Sequence, residues 1–562
     1  MKPLLFAFSF LVLAPLAPAQ VPSAADSAGT APPFVWDARR AEHLLNRAGF
    51  GARTGEIEAA VAEGQCACVE RLVGKRADVD PFFVERIEEP SRREMRELGD
   101  EERQRVQREV RERDRRQMLD YTAWWMERAA SGDDPLEERM VLFWHGVFTS
   151  SVDSVRRAHM ILAQDQLIRT EALGSYERLL AGMLKDPALL TYLDNQANRK
   201  GNPNENLARE LLELFSLGIG NYTEKDIKEI ARALTGRGVD DRGGYRYDAK
   251  AHDDGEKSFL GQQGKFDGDD VVRIVLAQEA CPRYVARRIL GYLEGVEPAP
   301  ERLAQYAAFL REQRFELKPF LRKLFLDPAF YREEVLGARV LGPVDFMVGM
   351  SRRLGLRTPP LVMAAGASLL GQRLFAPPNV KGWDEGEAWI TTSSLMQRGN
   401  LAGLLLGVVK VDDVIRADDP DMLDEEAQAT SNPPAADSMQ KQPMRARKPL
   451  DKQAGLKGAG SVAYQALRRV QDSGWAPNLN FSARLERSGA RSDAEIVERM
   501  LDDLLAIEAP PDTRRKLRDF LANERATLSL PDGRLFDSGI QAERVLRRLA
   551  HLILSLPEAQ LG

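Results

Sequence analysis

The chain has 562 residues, 43% of them hydrophobic, and its 79 basic and 85 acidic side chains leave a net charge of −6. That balance excludes the broad basic surface of a nucleic-acid binder, and the apolar content excludes a wholly disordered chain. Three cysteines, Cys66, Cys68 and Cys281, are too few for a disulfide-stapled scaffold, and a bridge from Cys281 to either of the others and free buried thiols are both open.

At the start of the chain, Met1-Lys2, an apolar run over 4–16 and Ala17-Pro18-Ala19 before Gln20 have the pattern of a secretory signal peptide, residues 1–19, cleaved after Ala19. A retained N-terminal anchor is the alternative. No later stretch reaches the roughly 20 apolar residues that a spanning helix needs. The mature chain is therefore expected to have no transmembrane span and to be exported, periplasmic or extracellular. Residues 20–34, rich in Ala, Ser and Pro, form a flexible leader, and the main helical domain covers 35–411.

Within it, apolar spacing predicts a short helix over 41–49, closed by Gly49 or Gly51, and a second over 57–72. Residues 85–127 interleave Arg and Glu at helical neighbour spacings and are expected to form a long solvated helix. Further helices follow over 133–148, 156–173 and 176–194. Between 234 and 260, four glycines (Gly236, Gly238, Gly243, Gly244) surround the alternating Tyr245-Arg246-Tyr247, which predicts a small β-hairpin between helices. Residues 412–460 turn acidic, then Ser/Asn/Pro/Ala-rich, then basic, and are expected to be a disordered insertion or linker ahead of C-terminal helices in 461–562 that pack on the main domain. The fold class is mainly α: one large multi-helix domain with a hairpin insertion and a disordered internal segment.

Chemistry concentrates in a few places. In the helix predicted after the N-cap Asn204, Glu205, Asn206, Arg209, Glu210 and Glu213 share one arc, while Leu207, Leu211, Leu214 and Phe215 lie opposite. That polar face is either a solvated surface with Glu205–Arg209 and Arg209–Glu213 neighbour pairs, or an inward face on which Glu210 and Glu213 ligate a cation or relay protons. Of five histidines, His145 is flanked by aromatic residues, which suits a satisfied core position as well as a site. His252 precedes the acidic turn Asp253-Asp254-Gly255-Glu256-Lys257, where ligation and a plain turn are both open. Trp383 and Trp389 bracket a Gly-rich acidic loop that either stacks on a ligand such as a sugar or packs on a neighbouring helix. No GxSxG elbow, HExxH helix, phosphate-binding loop, dinucleotide fingerprint or paired CxxC occurs.

Five segments together resemble the family called domain of unknown function 1800. They are His43-Leu44-Leu45-Asn46-Arg47-Ala48-Gly49-Phe50-Gly51, Phe143-Trp144-His145, Asn204-Glu205-Asn206-Leu207-Ala208-Arg209-Glu210, His252-Asp253-Asp254-Gly255-Glu256-Lys257 and Pro378-Asn379-Val380-Lys381-Gly382-Trp383. The resemblance runs from about His43 to the C-terminal Leu554-Ser555-Leu556-Pro557-Glu558, interrupted by 412–460. It implies one family-wide helical domain, export from a bacterial cell and a sulfatase-like partner protein encoded nearby, but supplies no activity.

Two functions follow from these residues. In the first, the chain is a cation-dependent envelope hydrolase: His145, His252, Asp253 and Glu213 hold a divalent cation, Glu205 and Glu210 act in acid/base work, and Arg209 orients a carboxylate or clamps an anion. In the second, it is a non-enzymatic envelope binding or assembly factor whose partner surfaces are Trp383, Trp389 and the charged helix near Arg103, with the polar network structural. Convergence of His145, His252 and the 205–213 face on one pocket would favour the enzyme.

Overall fold

Asp37 starts the first helix, Ala38–Ala48, by accepting the Arg40 N–H at 2.9 Å, and the helix stops at Gly49 as the spacing predicts. The computed structural model describes residues 34–74, 82, 92–416 and 463–562. The expected signal peptide and nearly all of the leader and of the 412–460 insertion lie outside the described residues. Helices dominate what is described, with two small two-stranded antiparallel sheets, and no described helix is long and apolar enough to cross a membrane.

Two of the expected helices are each a pair. The 57–72 helix is Thr54–Glu63 and Gln65–Gly74, parted at Gly64, whose φ of 85° an L-residue rarely adopts. The 176–194 helix is Tyr176–Met183 and Pro187–Tyr192: Pro187 opens a new first turn, and Asp186 caps it by accepting the Leu189 N–H at 2.7 Å. Cys66, Cys68 and Cys281 are all free thiols.

Among the described residues the Arg/Glu-rich segment is not one helix but a short one, Arg92–Glu97, and after Gly99 the 32-residue helix Asp100–Ser131, solvated over its first half only. From Met118 on, Met118, Tyr121, Trp125 and Ala129 recur at helical spacing and are buried. They face the helices Ala158–Glu171, Pro343–Arg353 and Pro360–Leu369, each such side chain contributing about 1.5–3 kcal/mol when it leaves water. Charge enters this core as a paired chain: the Tyr121 hydroxyl meets Asp165, Asp165 meets Arg169 at 2.7 Å, and Arg169 meets Glu138 at 2.8 Å. Each carboxylate there faces a guanidinium, which buried charge requires.

The hairpin is present, and a second follows it. Arg237–Val239 pairs with Tyr245–Tyr247, and Lys257–Phe259 pairs with Gln262–Gly264 across a two-residue turn, Leu260-Gly261. Both turn residues have positive φ, 48° and 76°, the geometry that matches strand twist in tight hairpins. Leucine is not a residue that signals such a turn, so the second hairpin was not visible in the sequence.

Toward the C-terminus, Ile540–Leu554 lies against Thr392–Leu406, and Leu561 forms a β-bridge with Val340. The buried Arg398 joins the two stretches by donating to Gln560 Oε1 at 3.1 Å and to the Leu341 carbonyl at 2.7 Å. Residues 412–416 continue a helix, Val411–Arg416.

Candidate functional site

The Pro135–Val147 helix carries His145 into an aromatic junction. His145 is 2% exposed, its ring centroid 4.8 Å from that of Phe375, 5.2 Å from Trp383 and 5.4 Å from Trp125. Its Nε2 accepts the Phe375 N–H at 3.1 Å. Burial pushes its pKa down to about 4, so the ring is neutral at pH 7 and keeps a lone pair for that bond. Phe375 has φ 61°, a left-handed conformation unfavourable for a residue with a Cβ, and its carbonyl accepts the Val152 N–H at 2.8 Å. Two hydrogen bonds and the ring packing therefore hold a strained turn.

The loop that brings Trp383 to this junction is tied down just before it. Thr149 Oγ1 donates to the Val380 carbonyl at 2.7 Å. Gly382, at φ 89°, sits where a Cβ would come within 2.5 Å of the Gly146 carbonyl oxygen, so only glycine fits. The segments 143–145 and 378–383, far apart in the chain, thus meet in one place.

The polar helix is α-helical only over Asn206–Glu210 and continues as a π-helix over Leu211–Ser216. Carbonyls of that wider turn are taken by tyrosines, Tyr284 donating to Leu214 at 2.7 Å and Tyr176 to Phe215. Leu207, Leu211 and Phe215 face inward as the spacing predicts, and Asn204 Oδ1 accepts the Asn206 N–H at 3.0 Å. Arg209 lies at the surface, paired with Glu205 at 3.2 Å and Glu224 at 2.9 Å. Glu210 is half-buried, and burial together with the neighbouring Glu213 carboxylate raises its pKa, against the opposing charges of Lys381 and Arg209. Glu213 accepts from the Tyr222 hydroxyl at 3.5 Å.

His252 and Asp253 sit at the hairpins. His252 Nδ1 lies 3.0 Å from the Thr235 carbonyl, and the Asp253 N–H donates to Thr235 Oγ1 at 2.8 Å. Asp253 pairs with Arg232 at 2.8 Å, and that hydrogen-bonded guanidinium holds its carboxyl down at about 2. Lys257, 1% exposed, donates back to the Gly255 carbonyl at 3.1 Å. The turn is closed by its own side chains.

The residues expected to form a metal site are therefore dispersed. His145 lies in the aromatic junction, His252 and Asp253 in the hairpin turn, and Glu213 on the π-helix; among the described residues no group of three or more His, Cys, Asp or Glu could hold a metal ion. The structure does bring Glu210 to Glu213 and, electrostatically, to Lys381 of the Trp383 loop.

Trp383 and Trp389 line one cleft of about 520 Å³. Its floor holds Tyr292, Arg339 and Asp345, and its rim the exposed carboxylates Asp384 and Glu387. Asp345 is buried between Arg339 at 2.6 Å and Arg139, which hold its carboxyl low against burial. Arg139 also donates to the Gly49 carbonyl at 3.0 Å and the Tyr292 hydroxyl at 3.2 Å. Among the described residues the buried Trp383 indole N–H has no partner. Arg139, Tyr292, Arg339 and Asp345 were not singled out from the sequence, although an arginine directly before the apolar run 140–144 is a signal that a buried counter-charge exists.

Comparison with known proteins adds one identification. No curated protein and no solved structure matches the chain. A family model described as protein of unknown function (DUF1800) matches residues 43–561, nearly the whole length, and it takes in the aromatic junction, the π-helix, the hairpin turn and the tryptophan cleft together. The chain belongs to the DUF1800 family.

Proposed function

We propose that this protein is an exported, non-enzymatic binding factor of the cell envelope whose ligand site is the tryptophan-lined cleft, and that the ligand is a glycan. The observation that carries this reading is the lining itself. Indole and phenol rings offer flat apolar faces to the C–H face of a sugar, while Arg339, Gln372 and the rim carboxylates supply the donors and acceptors that hydroxyl groups require. An indole N–H without a protein partner is a further donor for a hydroxyl oxygen. Export rests on the N-terminal 1–19 pattern, and intact mass of the secreted chain tests it: the expected N-terminus is Gln20.

Titration calorimetry of the intact mature protein with cellohexaose and chitohexaose tests the binding. One of the two is expected to bind, and Asp384→Asn with Glu387→Gln, at exposed positions that leave the fold alone, is expected to weaken it. No binding of either probe, or binding indifferent to both substitutions and to Trp383→Phe, overturns the proposal.

The hydrolase reading draws support from a different observation, the raised Glu210 carboxyl just before the π-helical turn that carries Glu213, since a carboxyl that keeps its proton longer suits general-acid work. Release of shorter oligosaccharides from either probe, abolished in Glu210→Gln, would replace the binding reading with it.

A further inference from the structure

A second cavity, of about 700 Å³, opens on the other neighbour of His145. Its floor is apolar, built from Met118 and Met126 of the Asp100–Ser131 helix, Leu361 of the Pro360–Leu369 helix, and Leu374 with Phe375. Ala364 and Ala365 face it from the same helix as Leu361, and their small side chains leave the space open. The volume lies within the range of pockets that enclose a small organic ligand, ~300–1,000 Å³.

Its rim is cationic. Four guanidiniums, Arg111, Arg115, Arg156 and Arg373, stand against two carboxylates, Asp114 and Asp153. Arg373 is satisfied by Asp153, at 2.9 and 3.2 Å. Arg111 and Arg115, one helical turn apart, have no hydrogen-bond or ion-pair partner among the described residues, and the side chain of Arg156 reaches only the Asp153 carbonyl at 3.3 Å. Three positive groups thus border an apolar hollow without a carboxylate bound to any of them.

Backbone strain gathers here too. Arg156 (φ 56°) and Phe375 (φ 61°) are non-glycine residues in the left-handed region, and both line this cavity. Strained residues persist where the surroundings fix them, and they concentrate at binding sites. Here His145 and Val152 hold Phe375 from both sides, which makes His145 a positioning residue for the cavity wall.

We propose that this cavity binds a long-chain acyl anion, its alkyl tail on the Met118–Phe375 floor and its charged head at Arg111, Arg115 and Arg156. An apolar hollow would accept any hydrocarbon, and the unpaired guanidiniums select one that ends in an anion. The proposal stands apart from the glycan cleft, since the two share no lining residue.

The test uses the intact mature protein, delipidated, with three probes carrying the same chain: palmitate, 1-palmitoyl lysophosphatidylglycerol and hexadecanol. Native mass spectrometry and displacement of a fluorescent fatty acid are expected to show one equivalent of an anionic probe bound more tightly than hexadecanol. Stronger binding of palmitate points to a free fatty acid as the source, and stronger binding of the lysolipid to a membrane lipid. Arg111→Gln with Arg115→Gln, at exposed unpartnered positions, is expected to weaken the anions by about tenfold and leave hexadecanol unchanged. Ala364→Trp, which fills the hollow from a half-exposed position, is expected to remove all binding while circular dichroism stays native. No anionic probe bound by the wild type, equal binding of hexadecanol, or binding untouched by both the arginine and the Ala364 substitutions overturns the proposal.

Discussion

The His145 junction and the His252 turn are both histidine-bearing motif segments, and the chain folds them into different surroundings. His145 is sealed among Trp125, Phe375 and Trp383, is neutral, and spends its lone pair on a backbone N–H. His252 is half-exposed beside Thr235, in a turn whose charges, Asp253 with Arg232 and Asp254 with Lys200, neutralise one another. Buried polar groups in the first region have few partners and no water to replace them, whereas those in the second can exchange partners with solvent. A residue's neighbours in space, rather than its membership of a polar motif, decide how much the protein depends on it.

The sharpest break of this contrast lies next to the junction. Asp345→Ala removes the one carboxylate between Arg139 and Arg339 and leaves both guanidiniums without a counter-charge, so urea unfolding should show a loss of about 3–5 kcal/mol or no folded protein at all. A loss below about 1 kcal/mol would mean that water already reaches this pair and that the region is not sealed.

His145 gives a pH signature. Its folded pKa, about 4, lies below the ordinary histidine value, so the unfolded chain binds more protons between those two points. Stability from this group is complete above about pH 7 and is lost as pH falls toward 4, on the order of 3 kcal/mol. Asp186, pushed up to about 7 by burial, contributes the opposite slope across the same range. The quantity to follow is therefore the stability of wild type minus that of His145→Gln, which should decline steadily with acid and would stay flat if the ring were solvated.

Much of this contrast could be anticipated from particular residues. The Phe143-Trp144-His145 sequence suggested a core histidine, and the 3.6-residue spacing of Leu207, Leu211 and Phe215 located the inward face of the polar helix. Spacing could not reveal that this helix widens into a π-turn, because the change depends on Tyr176 and Tyr284 claiming carbonyls from distant helices. Nor could it show that Phe375 is left-handed, or that Asp345 joins Arg139, 206 positions away in the chain. The cavity at Arg111 and Arg115 was hidden for a similar reason: those arginines belong to a segment whose composition describes a solvated helix, and only its packing against Pro360–Leu369 creates a hollow beside them.

In the hairpin turn the expected effects shrink. Asp253→Asn keeps the shape and removes the charge that Arg232 holds, so a loss of about 1 kcal/mol at pH 7 is expected. Because the carboxyl is held at about 2, below its ordinary value, its contribution is present above about pH 4 and fades as pH falls toward 2. Wild type and variant should therefore converge in strong acid. Divergence there would show that the amide disturbs the turn itself.

The smallest change belongs to the polar helix, where it discriminates between its two readings. Glu205 and Arg209 are each about one-third exposed, at 33% and 36%, and Arg209 keeps Glu224 when Glu205 is neutralised. Glu205→Gln should cost no more than about 0.5 kcal/mol, and that cost should shrink further in 0.5 M salt, as screening demands of a surface pair. A salt-independent loss of about 2 kcal/mol would place this face against protein rather than water. Such a result would also move the acid/base reading of Glu210 and Glu213 from a half-buried surface pair to an interior one, where a raised carboxyl has far fewer ways to relax.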